Sequence, residues 1–323
     1  MDVVPCDAPQ GAPPDDTQLH PLAILPHRPY LEVVSELPVE SHWRSVLDHS
    51  RSYADFTYVY PVVSRRSRGL SIGINLNPDK VCNFDCVYCE VDRLTPPRTR
   101  TVNLLQVRAE LVALIDIARS GELARDPKFS EAGPLTRTIR DIAFSGDGEP
   151  TMVHNFDECA QLAADVRRTL NLDDTKLVLI TDAAGLDKES VRKGLEIMDR
   201  NNGEIWAKLD AGTPEFFARV NRSSIRFERI LANLTRTSQE RPIIIQSLFL
   251  RIHGKSMPDA ELEAYCDRLT EITSAGGKIR EVHLYTVARP TPEPWATRLE
   301  VSTLTSIAER IHHRTGLSVA TFA

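Results

Sequence analysis

The sequence predicts an α/β fold, because short strand-like apolar runs alternate with longer segments of helical period from Leu70 onward. Strand–helix–strand repetition implies parallel strands joined by right-handed crossovers. Six such units fit an open or closed α/β barrel or a doubly wound sheet. In each of these, ligand chemistry is expected at the carboxyl ends of the strands.

The composition is that of a water-soluble globular protein. The chain has 323 residues, of which 41% are hydrophobic and 26% are charged. No run approaches the ~20 apolar residues that a membrane helix needs. The first residues lack the basic cap and apolar core of a secretory signal, so we expect a cytoplasmic protein with no membrane association.

Three regions are expected along the chain. Residues 1–36 hold seven of the 21 prolines and show no apolar period, which predicts a disordered tail. Residues 37–68 are expected to form an N-terminal extension with a short helix over 39–54, and residues 69–323 the barrel domain. The expected strands are 70–76, 139–145, 177–181, 205–210, 243–250 and 282–287, and the expected helices are 103–120, 156–169, 188–200, 225–238, 259–274 and 302–314.

Three cysteines form a tight cluster directly after the first of these strands. Cys82, Cys86 and Cys89 have the spacing C-x3-C-x2-C, whereas the other three cysteines are far apart. A thiolate needs compensating charge, so the cluster indicates a metal or redox site. A structural zinc site normally has four ligands, typically in two separated pairs, and there is no second pair here. Three soft sulfur ligands on one loop suit a cubane iron–sulfur cluster with one iron open; a three-cysteine zinc or redox-sensing loop is the alternative.

This loop, with Tyr88 before the last cysteine, resembles that of the radical S-adenosylmethionine (radical SAM) superfamily. The resemblance implies a partial (β/α)6 barrel in which Cys82, Cys86 and Cys89 bind a [4Fe–4S] cluster, while the free iron chelates S-adenosylmethionine and Tyr88 lies near its adenine. It also implies an external electron donor of the flavodoxin or ferredoxin type. The reduced cluster would cleave the cofactor to methionine and a 5′-deoxyadenosyl radical, which takes a hydrogen atom from the substrate.

A glycine-rich turn after the second expected strand adds to the resemblance. The segment Gly146-Asp147-Gly148-Glu149-Pro150 resembles the Gly-Gly-Glu-Pro segment that holds the methionine amino group in the superfamily. Asp147 departs from that pattern, since it stands where glycine is usual. Glycines let a backbone approach a ligand closely, and a carboxylate accepts an ammonium group.

Polar residues near the ends of later strands are further candidates. Lys208 and Asp210 share one face of a strand, so Lys208 could meet a carboxylate and Asp210 a ribose hydroxyl; a Lys–Asp pair that closes the barrel is the alternative. Arg289 could bind an anionic substrate group or the cofactor carboxylate, and His283 is expected to be a packed core residue. The expected cofactor-binding set is Tyr88, Gly146, Gly148, Glu149, Pro150, Thr181, Lys208, Asp210, Gln246 and Arg289.

Segments 60–76 and 284–290 look like the radical SAM branch that includes the tRNA wybutosine-synthesis enzyme and uncharacterised bacterial iron–sulfur oxidoreductases. Only Cys6 precedes the cysteine motif, so one cluster is expected. The substrate stays open between a tRNA base, a small metabolite and a partner protein, and a non-enzymatic iron–sulfur or zinc sensor is a further alternative. Two arginine-rich stretches, 65–68 and 93–100, could track tRNA phosphates, whereas the net charge of −6 argues against binding by bulk electrostatics.

Overall fold

The computed structural model describes residues 43–48, 50–97 and 99–322, with only the backbone described at 46 and 47. The expected tail over 1–36, which includes Cys6, lies outside the described residues, as does the first part of the expected 39–54 helix. The helices are α1 (Arg44–Leu47), α2 (Leu104–Ser120), α3 (Phe156–Thr169), α4 (Glu189–Asp199), α5 (Pro214–Asn221), α6 (Phe227–Glu240), α7 (Asp259–Ser274) and α8 (Val301–Thr315). The strands are β1 (Val59–Ser64), β2 (Gly69–Ile74), β3 (Ile139–Phe144), β4 (Lys176–Thr181), β5 (Gly203–Lys208), β6 (Ile243–Leu248), β7 (Arg251–Ile252), β8 (Ile279–Tyr285), β9 (Ala296–Thr297) and β10 (Val319–Phe322).

Eight strands form one sheet in the order β1-β2-β3-β4-β5-β6-β8-β10, and β7 pairs with β9 apart from it. β1 is antiparallel to β2, and every other neighbouring pair in the eight-stranded sheet is parallel. From β2 onward the spatial order follows the chain, whereas a doubly wound sheet reverses its strand order. Right-handed crossovers in one constant direction place the helices on one face of a curled half-barrel. The expected partial barrel is therefore confirmed.

The two faces of the sheet pack differently. On the outer face, Ile142, Phe144 and Leu179 belong to the large apolar core shared with the helices. On the inner face, Ala143 and Trp206 belong to a separate small cluster. Alternate residues of a strand point to opposite faces, so neighbouring residues of β3 join different clusters. The concave inner side, called the lumen below, is thus only partly filled with apolar side chains.

The six expected strands correspond to β2 to β6 and β8, and six of the expected helices correspond to α2, α3, α4, α6, α7 and α8, with ends within a few residues. Strand β1 and helix α5 are absent from the sequence-based expectations. β1 contains Pro61, which a central strand would not accommodate but an edge strand tolerates. The available signal for α5 is Thr213, which caps the helix, followed by Pro214 in its first turn.

The expected helix over 39–54 is wrong in its last residues. Within the described chain, α1 is the one helical stretch of this region, and residues 50–54 are not helical. The amide of Ser50 donates to the Asp48 carboxylate at 2.9 Å, a local turn that competes with helical hydrogen bonding.

Strand β1 is held at the edge of the sheet by a buried carboxylate of α2. Glu110 accepts hydrogen bonds from the backbone amides of Thr57 at 2.9 Å, Tyr58 at 2.8 Å and Val59 at 3.1 Å. Three amide donors thus depend on one side chain that is 6% exposed. Glu110 fixes where the chain enters the half-barrel.

Glu110→Ala is expected to lower the free energy of unfolding by roughly 2–4 kcal/mol, because amides at the start of β1 lose a charged acceptor. Urea denaturation followed by circular dichroism measures the change. The control is Asp116→Ala, at an exposed position of the same helix, for which a change below about 0.5 kcal/mol is expected. Equal losses in the two variants would contradict the assignment.

Candidate functional site

A cavity of about 340 Å³ opens at the carboxyl edge of the sheet. Its wall is formed by the cysteine loop (residues 77–89), by residues that follow β3 and β4, and by inner-face side chains of the later strands. Cys82, Cys86 and Cys89 all line this cavity, and all three are free and half-buried. The cavity therefore lies where parallel α/β folds place their ligands.

Most of the expected cofactor-binding residues meet at this cavity. Those in its lining are Tyr88, Gly146, Gly148, Glu149, Thr181, Lys208, Gln246 and Arg289. Pro150 and Asp210 are not part of the lining: Pro150 begins a short 3-10 turn, and Asp210 is buried behind Tyr88.

The cysteine loop is held by the end of helix α5. The amide of Asp85 donates to the carbonyl of Asn221 at 3.0 Å, and that of Val87 to the carbonyl of Val220 at 2.9 Å. The Phe84 ring packs edge-to-face against Phe217, with ring centres 5.3 Å apart. The loop thus has a fixed backbone although it contains no helix or strand.

Each of the three sulfurs is near one N–H donor. Cys82 Sγ accepts from the Phe84 amide at 3.5 Å, Cys86 Sγ from Asn221 Nδ2 at 3.4 Å, and Cys89 Sγ from Arg93 Nη2 at 3.8 Å. N–H donors favour sulfur in its anionic form and tune the reduction potential of iron–sulfur centres. Asn221 carries no sequence signal for this role, since it lies 135 residues from Cys86 along the chain.

The donor set fits a cluster with an open iron. Burial raises the pKa of Cys82 to about 12 and that of Cys86 to about 11, so these thiols become thiolates only when a positive group replaces the proton. In the described part of the chain, no three His, Cys, Asp or Glu side chains are grouped closely enough to hold a metal ion. Thiolates of a cubane bind separate corners, so they need not converge on one point. Cys82, Cys86 and Cys89 line one cavity, which is compatible with such an arrangement.

The glycine-rich segment after β3 packs tightly against the cysteine loop. A Cβ atom on Gly148 would lie 2.0 Å from the carbonyl oxygen of Val81, and one on Gly146 would lie 2.2 Å from Asn75 Oδ1. The amide of Glu149 donates to the same Val81 carbonyl at 3.1 Å. Glycine is needed at 148 because the backbone of the cysteine loop approaches so closely, and at 146 because Asn75 occupies the space of a side chain.

Glu149 links this segment to the end of β4. Its carboxylate accepts from the Thr151 amide at 3.0 Å, from the Thr151 and Thr181 hydroxyls at 2.6 Å each, and from the Asp182 amide at 2.8 Å. Asp182, which the expected set omits, lines the cavity, and its buried Oδ2 has no hydrogen-bond partner in the described structure. Burial and the neighbouring Glu149 raise the pKa of Asp182 well above its usual range. Asp182 therefore presents a buried carboxyl group at the cavity wall that favours its neutral form until a cation lies beside it.

Asp147, the departure from the usual glycine, has a specific partner. Its carboxylate accepts from Arg51 at 3.2 Å and from Asn75 Nδ2 at 2.8 Å. Arg51 lies in the N-terminal extension, so this ion pair ties the extension to the glycine-rich segment. The departure from the pattern is accommodated by a contact that glycine could not make.

Lys208 and Asp210 are connected through Tyr88. The Tyr88 hydroxyl donates to Asp210 Oδ2, and Lys208 Nζ lies 3.0 Å from the same hydroxyl and 4.9 Å from the ring centre. Asp210 also accepts from Asn221 Nδ2 at 2.8 Å and from the Leu248 amide at 2.9 Å. Both carboxylate oxygens of Asp210 are thus engaged by protein groups, and Lys208 is the member of the pair that reaches the cavity.

The last strands contribute residues with distinct roles. Gln246 lies in the lumen and is 1% exposed, while Arg289 forms an ion pair with Glu90 at 2.7 Å, directly after the cysteine loop. His283 packs edge-on against the Trp206 ring, with centres 5.2 Å apart, and contacts Glu281 at 2.9 Å. This agrees with the expectation of a packed histidine.

Comparison with known proteins finds curated relatives. The UPF0026 protein MJ1312 of Methanocaldococcus jannaschii is 31% identical over 163 residues, which are 50% of this chain and 43% of that protein. A UPF0026 protein of Helicobacter pylori strain J99 is 26% identical and covers 71% of this chain and 66% of its own length. The chain is similar to the UPF0026 proteins. It spans less than two thirds of the length of either of them, and no family model matches it.

Other matches are more distant. The GTPase Obg of Brachyspira hyodysenteriae is 27% identical over 54% of this chain but only 22% of that protein, and this sequence has no G-x4-G-K-S/T phosphate loop. A structure of TYW1 with a lysine–pyruvate adduct bound covers 76% of this chain and 74% of its own, with 15% identity and a TM-score of 0.49. An archaeal TYW1 covers 77% and 73%, with 13% identity and a TM-score of 0.42.

The free energy of unfolding is expected to rise with pH just below pH 6.5. Burial lowers the pKa of His283 from its ordinary value of 6.5, so the unfolded chain binds a proton there that the folded protein does not. The slope from this group is at most about 1.4 kcal/mol per pH unit. Urea denaturation between about pH 5.5 and 6.5 measures it. His283→Phe should flatten the slope and His313→Gln, at an exposed position, should not; an unchanged slope in His283→Phe would show that His283 protonates freely in the fold.

Proposed function

We propose that this chain is a radical SAM enzyme, in which Cys82, Cys86 and Cys89 hold one [4Fe–4S] cluster that reductively cleaves S-adenosylmethionine. The observation that carries the proposal is the placement of the three free thiols on one cavity at the carboxyl edge of a half-barrel, a cavity that Glu149 and Lys208 also line. When bound, the cluster and S-adenosylmethionine supply a 5′-deoxyadenosyl radical that abstracts a hydrogen atom from the substrate.

The chain's own residues would bind and orient the cofactor. The ammonium group fits the edge formed by the glycine-rich segment, where Glu149 is fixed by four hydrogen bonds and Asp182 offers an unsatisfied oxygen. Lys208 is positioned by Tyr88 to meet a carboxylate. The apolar wall around Trp206 helps to exclude water from the lumen.

The geometry favours a small-molecule substrate over a tRNA whose phosphates contact the arginine-rich stretches. Arg66 points into the lumen against Trp206, and Arg93 donates to the Lys80 carbonyl at 2.6 Å and to Cys89. These two arginines therefore serve the cavity and the cysteine loop rather than a continuous basic surface. An external one-electron donor of the flavodoxin or ferredoxin type is part of the proposal, because reductive cleavage of the sulfonium consumes one electron.

Formation of 5′-deoxyadenosine tests the proposal. The protein is purified anaerobically, reconstituted with iron and sulfide, reduced with dithionite and supplied with S-adenosylmethionine, and the product is quantified by liquid chromatography. We expect product from the native chain and none above the blank from the Cys82→Ala/Cys86→Ala/Cys89→Ala variant, because the cluster loses all of its protein ligands.

Cys159→Ala is the matched control, since Cys159 is a free cysteine buried in α3, away from the cavity. It should retain cleavage. A native protein that retains iron but yields no 5′-deoxyadenosine would favour an iron–sulfur sensor, and one that retains only zinc would favour the three-cysteine zinc loop. Cleavage that depends on an added protein would instead favour an activating enzyme or maturase.

A further inference from the structure

Arg66 lies inside the lumen rather than on a solvated basic face. It belongs to the turn between β1 and β2, and its guanidinium carbon is 4.9 Å from the centre of the Trp206 ring and 5.4 Å from that of the Tyr285 ring. Aromatic rings stabilise a guanidinium through their faces. Such stacking leaves the N–H edge of the guanidinium available for hydrogen bonds in its own plane.

Two buried donors in this part of the lumen have no hydrogen-bond partner in the described structure. They are Arg66 Nη1 and Gln246 Nε2, and both residues line the cavity. Buried polar groups in folded proteins are nearly always satisfied, and an exception at a cavity calls for a bound partner. Because both residues line one cavity, an acceptor that arrives with a ligand would satisfy these donors.

The strand registers place the two donors close together. Trp206 lies on β5 and Tyr285 on β8, on either side of β6. Trp206 pairs with Ile244 of β6, and Tyr285 pairs with Leu248 of the same strand. Gln246 is the inner-face residue midway between these two positions. Because Arg66 stacks on both rings, its guanidinium lies over the part of β6 that holds Gln246.

The charges around this point favour an anion. Burial lowers the pKa of Arg65, and the neighbouring positive charges of Arg66 and Arg289 lower it further. Arg289 is compensated by Glu90, and the buried Asp141 acts on Arg66 from a distance. Among the described residues, Arg66 has no ion pair of its own. A negative group bound beside Arg66 would therefore be stabilised by this guanidinium.

We propose that Arg66 and Gln246 form a binding site for an oxyanion of the substrate, a carboxylate or a phosphate. The edge of the guanidinium can take two oxygens of such a group, and the amide of Gln246 can donate a further hydrogen bond. The same cavity extends from Arg66 to the three cysteines, so a molecule held here by its anion would present its remainder toward the cysteine loop. Only the identification of the anion as part of the substrate rests on the proposed function.

Calorimetric titration of the full-length reconstituted protein with malonate and with inorganic phosphate, at constant ionic strength, tests the site. No S-adenosylmethionine or reductant is present, so a failure of this binding and a failure of cofactor cleavage are seen separately. We expect one of the two probes to bind saturably, and Arg66→Gln to weaken that binding by at least about tenfold, since a charged hydrogen-bond donor is lost. Tighter binding of malonate identifies a carboxylate site, and tighter binding of phosphate a phosphate site.

Arg68→Gln is the matched control, because Arg68 lies in the same turn at an exposed position. It should leave the affinity within about twofold of the native value. Equal loss in Arg66→Gln and Arg68→Gln, or no saturable binding of either probe, would overturn the site. A tenfold loss of S-adenosylmethionine affinity in Arg66→Gln would assign the site to the cofactor carboxylate and overturn its assignment to the substrate.

Gln246→Leu provides a second variant if Arg66→Gln does not fold. It removes the other unpartnered donor without changing the arginine stack, and circular dichroism checks that the variant is folded. A loss of about threefold or more in probe affinity is expected, because one hydrogen bond to an anion is removed. An unchanged affinity would show that the anion, if bound, does not reach β6, and would overturn the two-residue site.

Discussion

The geometry of the cavity depends on the backbone hydrogen bonds that fix the cysteine loop. On one side, the amides of Asp85 and Val87 donate to carbonyls at the end of α5. On the other side, the carbonyl of Val81 accepts from the amide of Glu149. These contacts from two neighbouring elements hold the three sulfurs at the cavity.

The charges of Lys208 and Asp210 in the same region are connected through the Tyr88 hydroxyl. Lys208 reaches the cavity because Tyr88 stands between it and Asp210, so the cation and the carboxylate stabilise each other without direct contact. A direct pair would have withdrawn Lys208 from the cavity, and a lone buried lysine would have been costly. Asn221 connects these residues to the cysteine loop, since its amide donates to both Asp210 and Cys86. Packing of α5 and the chemistry of the cysteine loop are therefore coupled.

Much of the fold and part of the site follow from local sequence. The alternation of strands and helices is a local pattern, and so is the spacing of the three cysteines. The edge strand β1 is less visible, because Pro61 weakens the strand pattern and its main stabilising partner is Glu110, far along the chain.

Two cavity residues outside the expected cofactor-binding set, Asp182 and Arg66, are distinguished by their tertiary contacts. Asp182 is notable only because its second oxygen is buried without a partner. Arg66 stands in a basic stretch that is typical of a solvated surface, yet Trp206 and Tyr285 draw it into the lumen. No pattern within the stretch 65–68 distinguishes Arg66 from its neighbours.

In the proposed enzyme, three protein sulfurs hold a cluster with one iron open to the cofactor. Electron paramagnetic resonance of the reduced, reconstituted protein, recorded with and without S-adenosylmethionine, tests this arrangement. We expect a [4Fe–4S]⁺ signal whose g values shift when S-adenosylmethionine is added, because the cofactor changes the ligands of the open iron. A cluster signal that does not respond to S-adenosylmethionine, or a protein that keeps all three cysteines and retains no iron, would contradict it.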